Sequence, residues 1–343
     1  DCWLASLRFG DRVDVRSAVV AAPCLCLFRR PRVAGYCCVR GFDYVVGSPP
    51  AAQRIGGEAG VCVVARFMDY FLHIVIVCGI YVTLCSALNL LAGYTGLLSI
   101  GHAAFYGIGA YSASLMSINF GTIFVLNLAV AIAVCAAAGL LVGVPSLRVR
   151  GDYFVIASLG FQAIAYSLLK NLSGLTGGTD GLPGIPQPSI SGWLIDDPWE
   201  YCVLACVLAA IAIWLCRRIE RSPYGRMLLA IRGDDVLAQM LGKNVASVSV
   251  SVFVLASIMA GVAGVVYGYY VSFIAASNFA IMESILILSM VIIGGAGSVW
   301  GPVVGAIILV SLPEVLRLLG MPASMAAHVR QVLYGGLLVL FMI

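Results

Sequence analysis

From Phe71 onward, long apolar stretches alternate with short polar or glycine-rich connections. Stretches of this length and polarity are typical of helices that cross a membrane. Further apolar runs at Ile281–Ile293 and Val303–Leu312 flank a glycine cluster, and Val329–Ile343 begins a span that reaches the chain end, where we expect truncation. The pattern predicts an all-α polytopic membrane protein with roughly eight spanning or re-entrant helices. The clearest candidate spans are Phe71–Leu91, Thr122–Leu147, Tyr153–Leu169, Tyr201–Cys216 and Ala246–Phe273.

The rest of the chain is organised around Asn89–Met116, which is apolar but unusually rich in glycine. Glycine lets membrane helices approach closely. It also permits a helix break where the irregular backbone is buried in protein or lines a cavity. We therefore interpret Gly96–Met116 as a spanning or re-entrant segment near a transport path. The candidate residues for this path, or for helix packing, are Gly93, Gly96, Gly101, His102, Glu283, Gly294 and Gly297.

Two segments resemble each other within the chain. Residues 88–101 (LNLLAGYTGLLSIG) and 288–301 (LSMVIIGGAGSVWG) both run from an apolar helix into spaced glycines. Transporters often contain internal repeats, but two membrane segments with glycine-rich ends also resemble each other by chance. Both interpretations stay open from the sequence.

The composition narrows the class of protein. Hydrophobic residues make up 62% of the 343 residues and charged residues 10%, which excludes an ordinary soluble domain. Nucleic-acid binding is not expected, because only two lysines and no basic stripe with interleaved aromatic residues are present. The twelve cysteines lack zinc-site spacing and the three histidines are separated, so we expect no metal or other cofactor in this chain.

Residues 1–70 differ from the remainder. They contain nine of the eighteen arginines, several prolines, and an apolar run, Ser17–Phe28, that is too short to span. The order of features in a signal peptide is absent. We interpret 1–70 as a non-native or disordered segment and 71–343 as the transmembrane domain.

The distribution of arginine and lysine predicts the orientation, because short loops rich in these residues face the cytoplasm. The 217–245 loop contains six of them, and Arg148 and Arg150 lie in the turn two spans before it. The 171–200 loop contains none but has four acidic residues, so it is expected outside. Counting back puts Tyr70 outside, which leaves one span missing before it if the native N-terminus is cytoplasmic.

The most informative polar stretch is Arg221–Val245. Pro223 suits a helix start, and the Gly-Asp-Asp run at 233–235 can break that helix and begin a second one. Gly242 can end the second helix, and apolar residues recur at helical spacing in both. We predict two short amphipathic helices that dock a soluble partner, with a lipid-surface helix or a solvated loop as the alternative.

A more specific signal comes from five segments: ALNLLAGYTGLLSIGHAAFYGIGAY (87–111), RVRGDYFVIASLGF (148–161), LTGGTDGLPGIP (175–186), SPYGRMLLAIRGDDVLAQMLGKNV (222–245) and ESILILSMVIIGGAGSVWGPVVGA (283–306). In this order, from about residue 71 to 343, they resemble the LivM-type permease of branched-chain amino acid ABC transporters. The resemblance implies a multi-pass subunit of the bacterial inner (plasma) membrane, in contact with lipid. It also implies a LivH-type second permease, two cytoplasmic ATP-binding subunits and a periplasmic amino-acid-binding protein as partners.

The resemblance identifies the 217–245 loop with the family's cytoplasmic coupling loop. Val236 stands where the EAA-type coupling signature has a glutamate, which weakens any claim for a specific carboxylate contact. No GxxxxGK[ST] motif occurs, so ATP is expected on the partner subunits and no enzymatic activity on this chain. The candidate coupling residues are Arg226, Asp234, Asp235, Ala238 and Gly242.

Polar residues within the apolar stretches are further candidates. An ionisable group at membrane depth is costly and suggests a function, so Glu283 is either a pathway residue or an interfacial one. His102 is expected to be a hydrogen-bonded packing residue, with substrate contact as the alternative. Asn89 and Gln162 are expected to bind helix backbones across interfaces.

These observations predict a permease subunit of an ATP-driven importer for leucine, isoleucine and valine. The same architecture importing urea or short amides is one alternative. A stand-alone secondary transporter or channel is another, and the internal similarity suits it. A membrane-embedded enzyme lacks support, because no paired carboxylates or HExxH motif occurs at plausible depth.

Overall fold

The computed structural model describes residues 56–121, 123–146, 152–190, 193–195, 197–318 and 335–336. Helices dominate these residues, as the apolar pattern predicts. In chain order they are α1 (Gly56–Thr95), α2 (His102–Phe120), α3 (Phe124–Ser146), α4 (Asp152–Asn171), α5 (Ser173–Thr176), α6 (Pro198–Glu220), α7 (Pro223–Gly233), α8 (Asp235–Met240), α9 (Val245–Val271), α10 (Ile281–Gly294) and α11 (Gly301–Leu318).

Six helical segments within the described residues are long and apolar enough to cross a membrane. The predicted all-α polytopic membrane fold is therefore confirmed, whereas a total of roughly eight stays a prediction. The 19-residue α2 has the length of a span but is not among these six. These six are Met68–Thr95, Phe124–Ser146, Tyr153–Asn171, Pro198–Glu220, Val245–Val271 and Ala276–Gly294.

The chain divides into two compact units, Asp1–Ala65 and Arg66–Ile343. Residues 1–55 lie outside the described part, so the interpretation of the N-terminal segment stays a prediction. The helix α1 starts at Gly56, earlier than the boundary at residue 71 that the apolar pattern predicts. No proline interrupts this stretch, and its alanine, valine and arginine residues tolerate a helical backbone.

Short strands occur at one end of the helices. Strand β1 (Leu182–Pro183), in the predicted external loop, pairs antiparallel with β4 (Phe273–Ile274), which follows α9. The other pair is β2 (Ser189–Ile190) with β3 (Trp193–Leu194). The β1–β4 pairing places the 171–200 loop and the C-terminal end of α9 together, and we call this the β1–β4 end.

The opposite end, called the α7–α8 end, gathers three connections. The Arg232 guanidinium of α7 reaches the Gly93 carbonyl near the end of α1. The Arg217 guanidinium, near the end of α6, lies 5.0 Å from the ring centre of Trp300, which precedes α11. The connections after α1, α6 and α10 thus share one end, as the alternating topology predicted from the charges requires. Arg148 and Arg150 lie outside the described residues.

The centre of the fold is the crossing of α2 and α9, where glycines allow the two backbones to touch. A Cβ atom at Gly109 would lie 2.2 Å from the Gly261 carbonyl oxygen, and one at Gly264 would lie 2.1 Å from the Tyr106 carbonyl oxygen. Real Cβ atoms do not approach other atoms so closely. The expectation that this glycine-rich segment is tightly packed is therefore confirmed for α2.

Candidate functional site

The α7–α8 loop is built from two capped helices. Ser222 caps α7 through a hydrogen bond from the Gly225 N–H to its Oγ, and Pro223 occupies the first turn, where a missing N–H costs nothing. Asp234 caps α8 by accepting hydrogen bonds from the N–H groups of Val236 (2.8 Å) and Leu237 (3.1 Å). The predicted helix break at 233–235 is confirmed.

The end of α8 has the hydrogen bonds of a Schellman motif. Gly242 has a φ of +76°, in the left-handed region that favours glycine. Its N–H donates to the Gln239 carbonyl (2.9 Å), and the Lys243 N–H donates to the Ala238 carbonyl (3.2 Å). The predicted cap at Gly242 is confirmed, and the chain turns there toward α9.

The two helices bury one face and expose another. Ala238 is buried with Ile231 and Val245 in a small apolar cluster, so this candidate coupling residue faces the protein. The candidate Arg226 is exposed and Asp235 is half-buried. The spacing of the apolar residues predicted amphipathic helices, but it did not show which apolar side chains would pack against the rest of the protein. Four of the apolar residues that recur at helical spacing are exposed: Val236, Leu237, Met240 and Leu241.

Gly93 and Gly297 meet where α1 and α10 end. A Cβ atom at Gly93 would lie 2.5 Å from the Gly297 nitrogen and 2.2 Å from Oδ1 of Asn89. Asn89 is buried; its Oδ1 accepts the Gly297 N–H (2.9 Å), and its Nδ2 donates to the Ser298 carbonyl (2.9 Å). The expectation that Asn89 binds backbone across an interface is confirmed.

Arg232 joins this contact to the α7–α8 loop. Its Nη1 donates a 2.6 Å hydrogen bond to the Gly93 carbonyl. A Cβ atom at Gly297 would lie 2.8 Å from the same nitrogen, and one at Gly96 would lie 3.3 Å from Cγ of Arg232. In the sequence analysis, Arg232 was only one of the six positive charges that predict the side of the membrane on which the 217–245 loop lies. The distribution of charges does not indicate this contact with Gly93.

The chain between α1 and α2 is irregular, as the glycine pattern allowed. Gly96 has a φ of +76°, and α2 begins only at His102. The Ile100 N–H donates to Oγ of Ser158 (3.0 Å), and the Ala103 N–H donates to Oγ of Ser284 (3.0 Å). Side chains of α4 and α10 thus satisfy backbone groups that would otherwise be unpaired at a helix start.

The remaining glycine candidates also lie at close backbone contacts. A Cβ atom at Gly101 would lie 2.9 Å from the Ser158 carbonyl oxygen. One at Gly294 would lie 2.0 Å from the Gly301 carbonyl oxygen, where α10 turns into α11. Both positions require glycine for packing.

His102 is 1% exposed and makes an edge contact with Phe105, with ring centres 6.5 Å apart. Neither ring nitrogen has a hydrogen-bond partner among the described residues. The packing part of the expectation is confirmed, whereas the expected hydrogen bond is not found within that part of the chain.

Glu283 lies in the first turn of α10 and accepts a hydrogen bond from the Tyr81 hydroxyl of α1. Nearby, Nδ2 of Asn278 donates to the Tyr267 hydroxyl (3.2 Å). Glu283 is thus part of a polar cluster that is separate from the Gly93–Gly297 contact, and whether it lies on the transport path or at the membrane interface stays a prediction.

Gln162 connects three elements beside this cluster. Its Nε2 donates to the Phe279 carbonyl (2.8 Å), and its Oε1 accepts a hydrogen bond from Ser284 (3.4 Å). The prediction that Gln162 binds backbone across an interface is confirmed.

A cavity of about 150 Å³ lies between α1, α10 and α11. Its polar lining groups are His73, Tyr81 and Glu314, and the other lining side chains are apolar. Tyr81 therefore contacts both this cavity and Glu283.

Comparison with known proteins identifies the family. A family model described as "Branched-chain amino acid transport system / permease component" matches residues 70–342. This chain belongs to that family. The resemblance to LivM-type permeases is thereby confirmed, and the family is one of transport permeases and not of enzymes.

Three curated relatives give the degree of similarity. The high-affinity branched-chain amino acid transport system permease protein LivM of Escherichia coli is 33% identical over 287 residues, covering 77% of this chain and 66% of the relative. The LivM protein of Salmonella typhimurium is 32% identical with the same coverage. The probable LivM of Methanocaldococcus jannaschii is 23% identical over 237 residues, covering 59% of this chain and 68% of the relative.

The chain spans just under two thirds, 66%, of the length of the two bacterial relatives. The match to the family begins at residue 70, close to the boundary at 71 drawn from the apolar pattern. No solved structure matches this chain.

Proposed function

We propose that this chain is a transmembrane permease subunit of an ATP-driven importer of leucine, isoleucine and valine. It forms the translocation path with a LivH-type second permease. Two cytoplasmic ATP-binding subunits supply the energy, and a periplasmic binding protein delivers the amino acid. The chain itself holds no nucleotide and no other cofactor.

The observation that carries this proposal is the membership in a permease family together with the α7–α8 surface. Four exposed apolar side chains project from α8 and the residue that follows it, beside charged residues that mark a water-facing surface. Exposed apolar groups rimmed by polar ones are typical of protein interaction sites. A soluble ATP-binding subunit is the partner that an ABC permease requires at this end.

The orientation follows from charge. The α7–α8 end contains Arg217, Arg218, Arg221 and Arg226, and the acidic 171–200 loop lies at the β1–β4 end. The positive-inside rule then puts the α7–α8 end in the cytoplasm and the β1–β4 end outside, in the inner membrane of a bacterium.

The mechanism converts a push on the loop into movement of the helices. ATP binding draws the two ATP-binding subunits together, and they press on the α7–α8 loop of each permease. Asp234 caps the start of α8 and Gly242 ends this segment, so the two short helices have defined limits. The permease then changes between outward-open and inward-open states, because the nucleotide state favours one of them by differential contacts.

The path for a small hydrophobic amino acid needs mostly apolar walls and few polar groups. The cavity beside α1, α10 and α11 has this character, and Glu283 with Tyr81 offers a carboxylate and a hydroxyl near it. A half-buried carboxylate suits the ammonium group of the substrate.

The test is uptake of radiolabelled leucine in cells that lack their own branched-chain systems. The chain is expressed with its neighbouring permease, ATP-binding subunits and binding protein, and matched cells carry an ATP-binding subunit whose phosphate-loop lysine is replaced. We expect uptake in the first cells and its loss in the second.

Two outcomes contradict the proposal in different ways. Uptake that persists without a functional ATP-binding subunit identifies a self-sufficient carrier or channel. ATP-dependent uptake of urea or a short amide, without leucine uptake, keeps the architecture and overturns the substrate.

A further inference from the structure

Arg232 occupies an unusual position for a loop arginine. It lies in the last turn of α7, yet its Nη1 donates to the Gly93 carbonyl, 139 residues earlier in the chain. That carbonyl is among the last four of α1, which have no intrahelical partner. The last turn of α1, which lies wholly within the described residues, contains no basic residue of its own. The cation that complements the negative end of this helix therefore comes from the α7–α8 loop.

Two helices, α1 and α10, end in irregular connections that contain glycine with positive φ, and we call these connections the two breaks. The guanidinium of Arg232 also lies against the second break, the one after α10. Gly297 has a φ of +96°, and a Cβ atom there would lie 2.8 Å from Nη1 of Arg232. Gly96, with a φ of +76°, leaves room for the aliphatic part of the arginine, since a Cβ atom would lie 3.3 Å from Cγ. Two backbone positions that favour glycine thus form the space in which one arginine contacts both interrupted regions.

A further contact locks the two breaks to each other. The buried Asn89 lies one turn before Gly93 on α1. Its side chain accepts a hydrogen bond from the Gly297 N–H and donates one to the Ser298 carbonyl. A displacement of Arg232 therefore acts on α1 directly and on the start of the α10–α11 connection through the same group of atoms.

We infer that Arg232 is a positioning residue that joins the α7–α8 loop to both glycine breaks, so that movement of the loop is passed to the ends of α1 and α10. This inference rests on the proposed function and deepens it, because it names the link between the surface for the ATP-binding subunits and the membrane helices. A charge-assisted hydrogen bond suits this task, since it is strong and directional at a helix end.

The experiment compares Arg232→Gln, Arg232→Lys and Arg218→Gln. Arg218 is exposed at the end of α6 and makes no side-chain hydrogen bond within the described part of the chain, so its variant removes the same charge without touching the breaks. The complete complex is reconstituted in liposomes, and leucine transported per ATP hydrolysed is measured alongside the amount of ATP-binding subunit that co-purifies. Hydrogen–deuterium exchange of segments 93–101 and 294–301 is measured on the same preparations.

Losing one charge-assisted hydrogen bond changes an equilibrium constant by about tenfold. We therefore expect Arg232→Gln to lower the amount of leucine transported per ATP hydrolysed by about tenfold. Co-purification of the ATP-binding subunits stays at the level of the unmodified chain. Exchange rises in both segments, and Arg218→Gln resembles the unmodified chain. Arg232→Lys is intermediate, because an ammonium can reach the carbonyl but lacks the planar fork of arginine.

Three results would overturn the inference. A loss of assembled complex with an unchanged transport-to-ATP ratio means that Arg232 only stabilises the fold. Faster exchange in 93–101 alone means that the second break is independent of it. An equal effect of Arg218→Gln assigns the loss to charge and not to position. If leucine uptake by the unmodified complex does not depend on ATP hydrolysis, the proposed function fails and the coupling role fails with it, whereas the exchange data still report on the contact.

Discussion

The crossing of α2 and α9 and the paired breaks after α1 and α10 both require glycine, but for different physical reasons. At the crossing, Gly109, Gly261 and Gly264 lie within regular helices, and the missing side chains let two backbones touch. At the breaks, Gly96 and Gly297 have positive φ angles, so backbone conformation matters there in addition to space. The crossing is a rigid centre, whereas the breaks are helix ends held by side-chain hydrogen bonds. Substitutions at chosen glycines distinguish three cases: a glycine needed for space, a glycine needed for its backbone conformation, and a glycine needed for neither reason.

The largest effect is expected from Gly109→Val at the crossing. Its Cβ atom would lie 2.2 Å from the Gly261 carbonyl oxygen and 2.4 Å from the Gly261 Cα, and neither backbone atom can move aside. We expect destabilisation of about 3 kcal/mol or more, the upper part of the range for overpacked cores. Thermal unfolding in detergent measures it, and a melting temperature like that of the unmodified chain would contradict the described crossing.

A smaller loss is expected from Gly93→Ala at the breaks. The added methyl group would collide with Oδ1 of Asn89 and displace it from Gly297 and Ser298. Loss of two hydrogen bonds at about 1 kcal/mol each gives roughly 2 kcal/mol. The matched control is Gly295→Ala in the α10–α11 connection that Gly93 contacts, where φ is +94° but no atom within 4 Å meets a Cβ.

Thermal unfolding combined with hydrogen exchange distinguishes these two variants. Gly93→Ala should expose the Gly297 amide, whereas Gly295→Ala should cost about 1–3 kcal/mol through backbone strain alone, because alanine disfavours a φ of 94° with a ψ of 101°. Equal unfolding free energies and equal exchange at Gly297 would show that contact with Asn89 is unimportant.

Gly242→Ala tests conformation without crowding. Its φ is +76°, and no atom within 4 Å would meet a Cβ. We expect a cost of about 1 kcal/mol, confined to the end of α8. Amide exchange over 238–244 measures it, and Gly242→Asn serves as the control because asparagine tolerates the left-handed region. Identical exchange in the Ala and Asn variants would remove the conformational argument.

The smallest effect, of opposite sign, is expected from Gly160→Ala. This position lies inside α4 and outside the positive-φ region, and an added Cβ would meet no atom within 4 Å. Alanine should therefore stabilise the helix by about 0.5 kcal/mol or slightly more. The unfolding temperature is the measurement, and a loss of stability would reveal a constraint on α4 outside these contacts.

Much of the fold could be predicted because bilayer thickness sets the length of an apolar helix. The predicted span Thr122–Leu147 differs from α3 (Phe124–Ser146) by one or two residues at each end. Local capping was equally readable, since Asp234 and Gly242 act within a few residues of their own positions. Asn89 was predicted to bind backbone because an amide within a membrane helix needs a partner.

Other features depend on contacts that a linear pattern does not contain. The apolar spacing of α8 did not show that Ala238 would face inward and Met240 outward, because both sit among apolar neighbours. The Arg232–Gly93 hydrogen bond joins residues 139 positions apart. An arginine in a loop is first interpreted by its charge, and only the folded backbone shows which carbonyl it reaches.

That separation also has a consequence for biosynthesis. A ribosome that adds roughly 5–20 residues per second needs about 7 to 28 s to make the chain between Gly93 and Arg232. The partner of Asn89, Gly297, follows 208 residues after it. The first helices are therefore synthesised well before their cytoplasmic ends receive their permanent partners. During this interval the end of α1 must rely on water, lipid headgroups or the insertion machinery for its free carbonyls, and the junction forms only when most of the protein has left the ribosome.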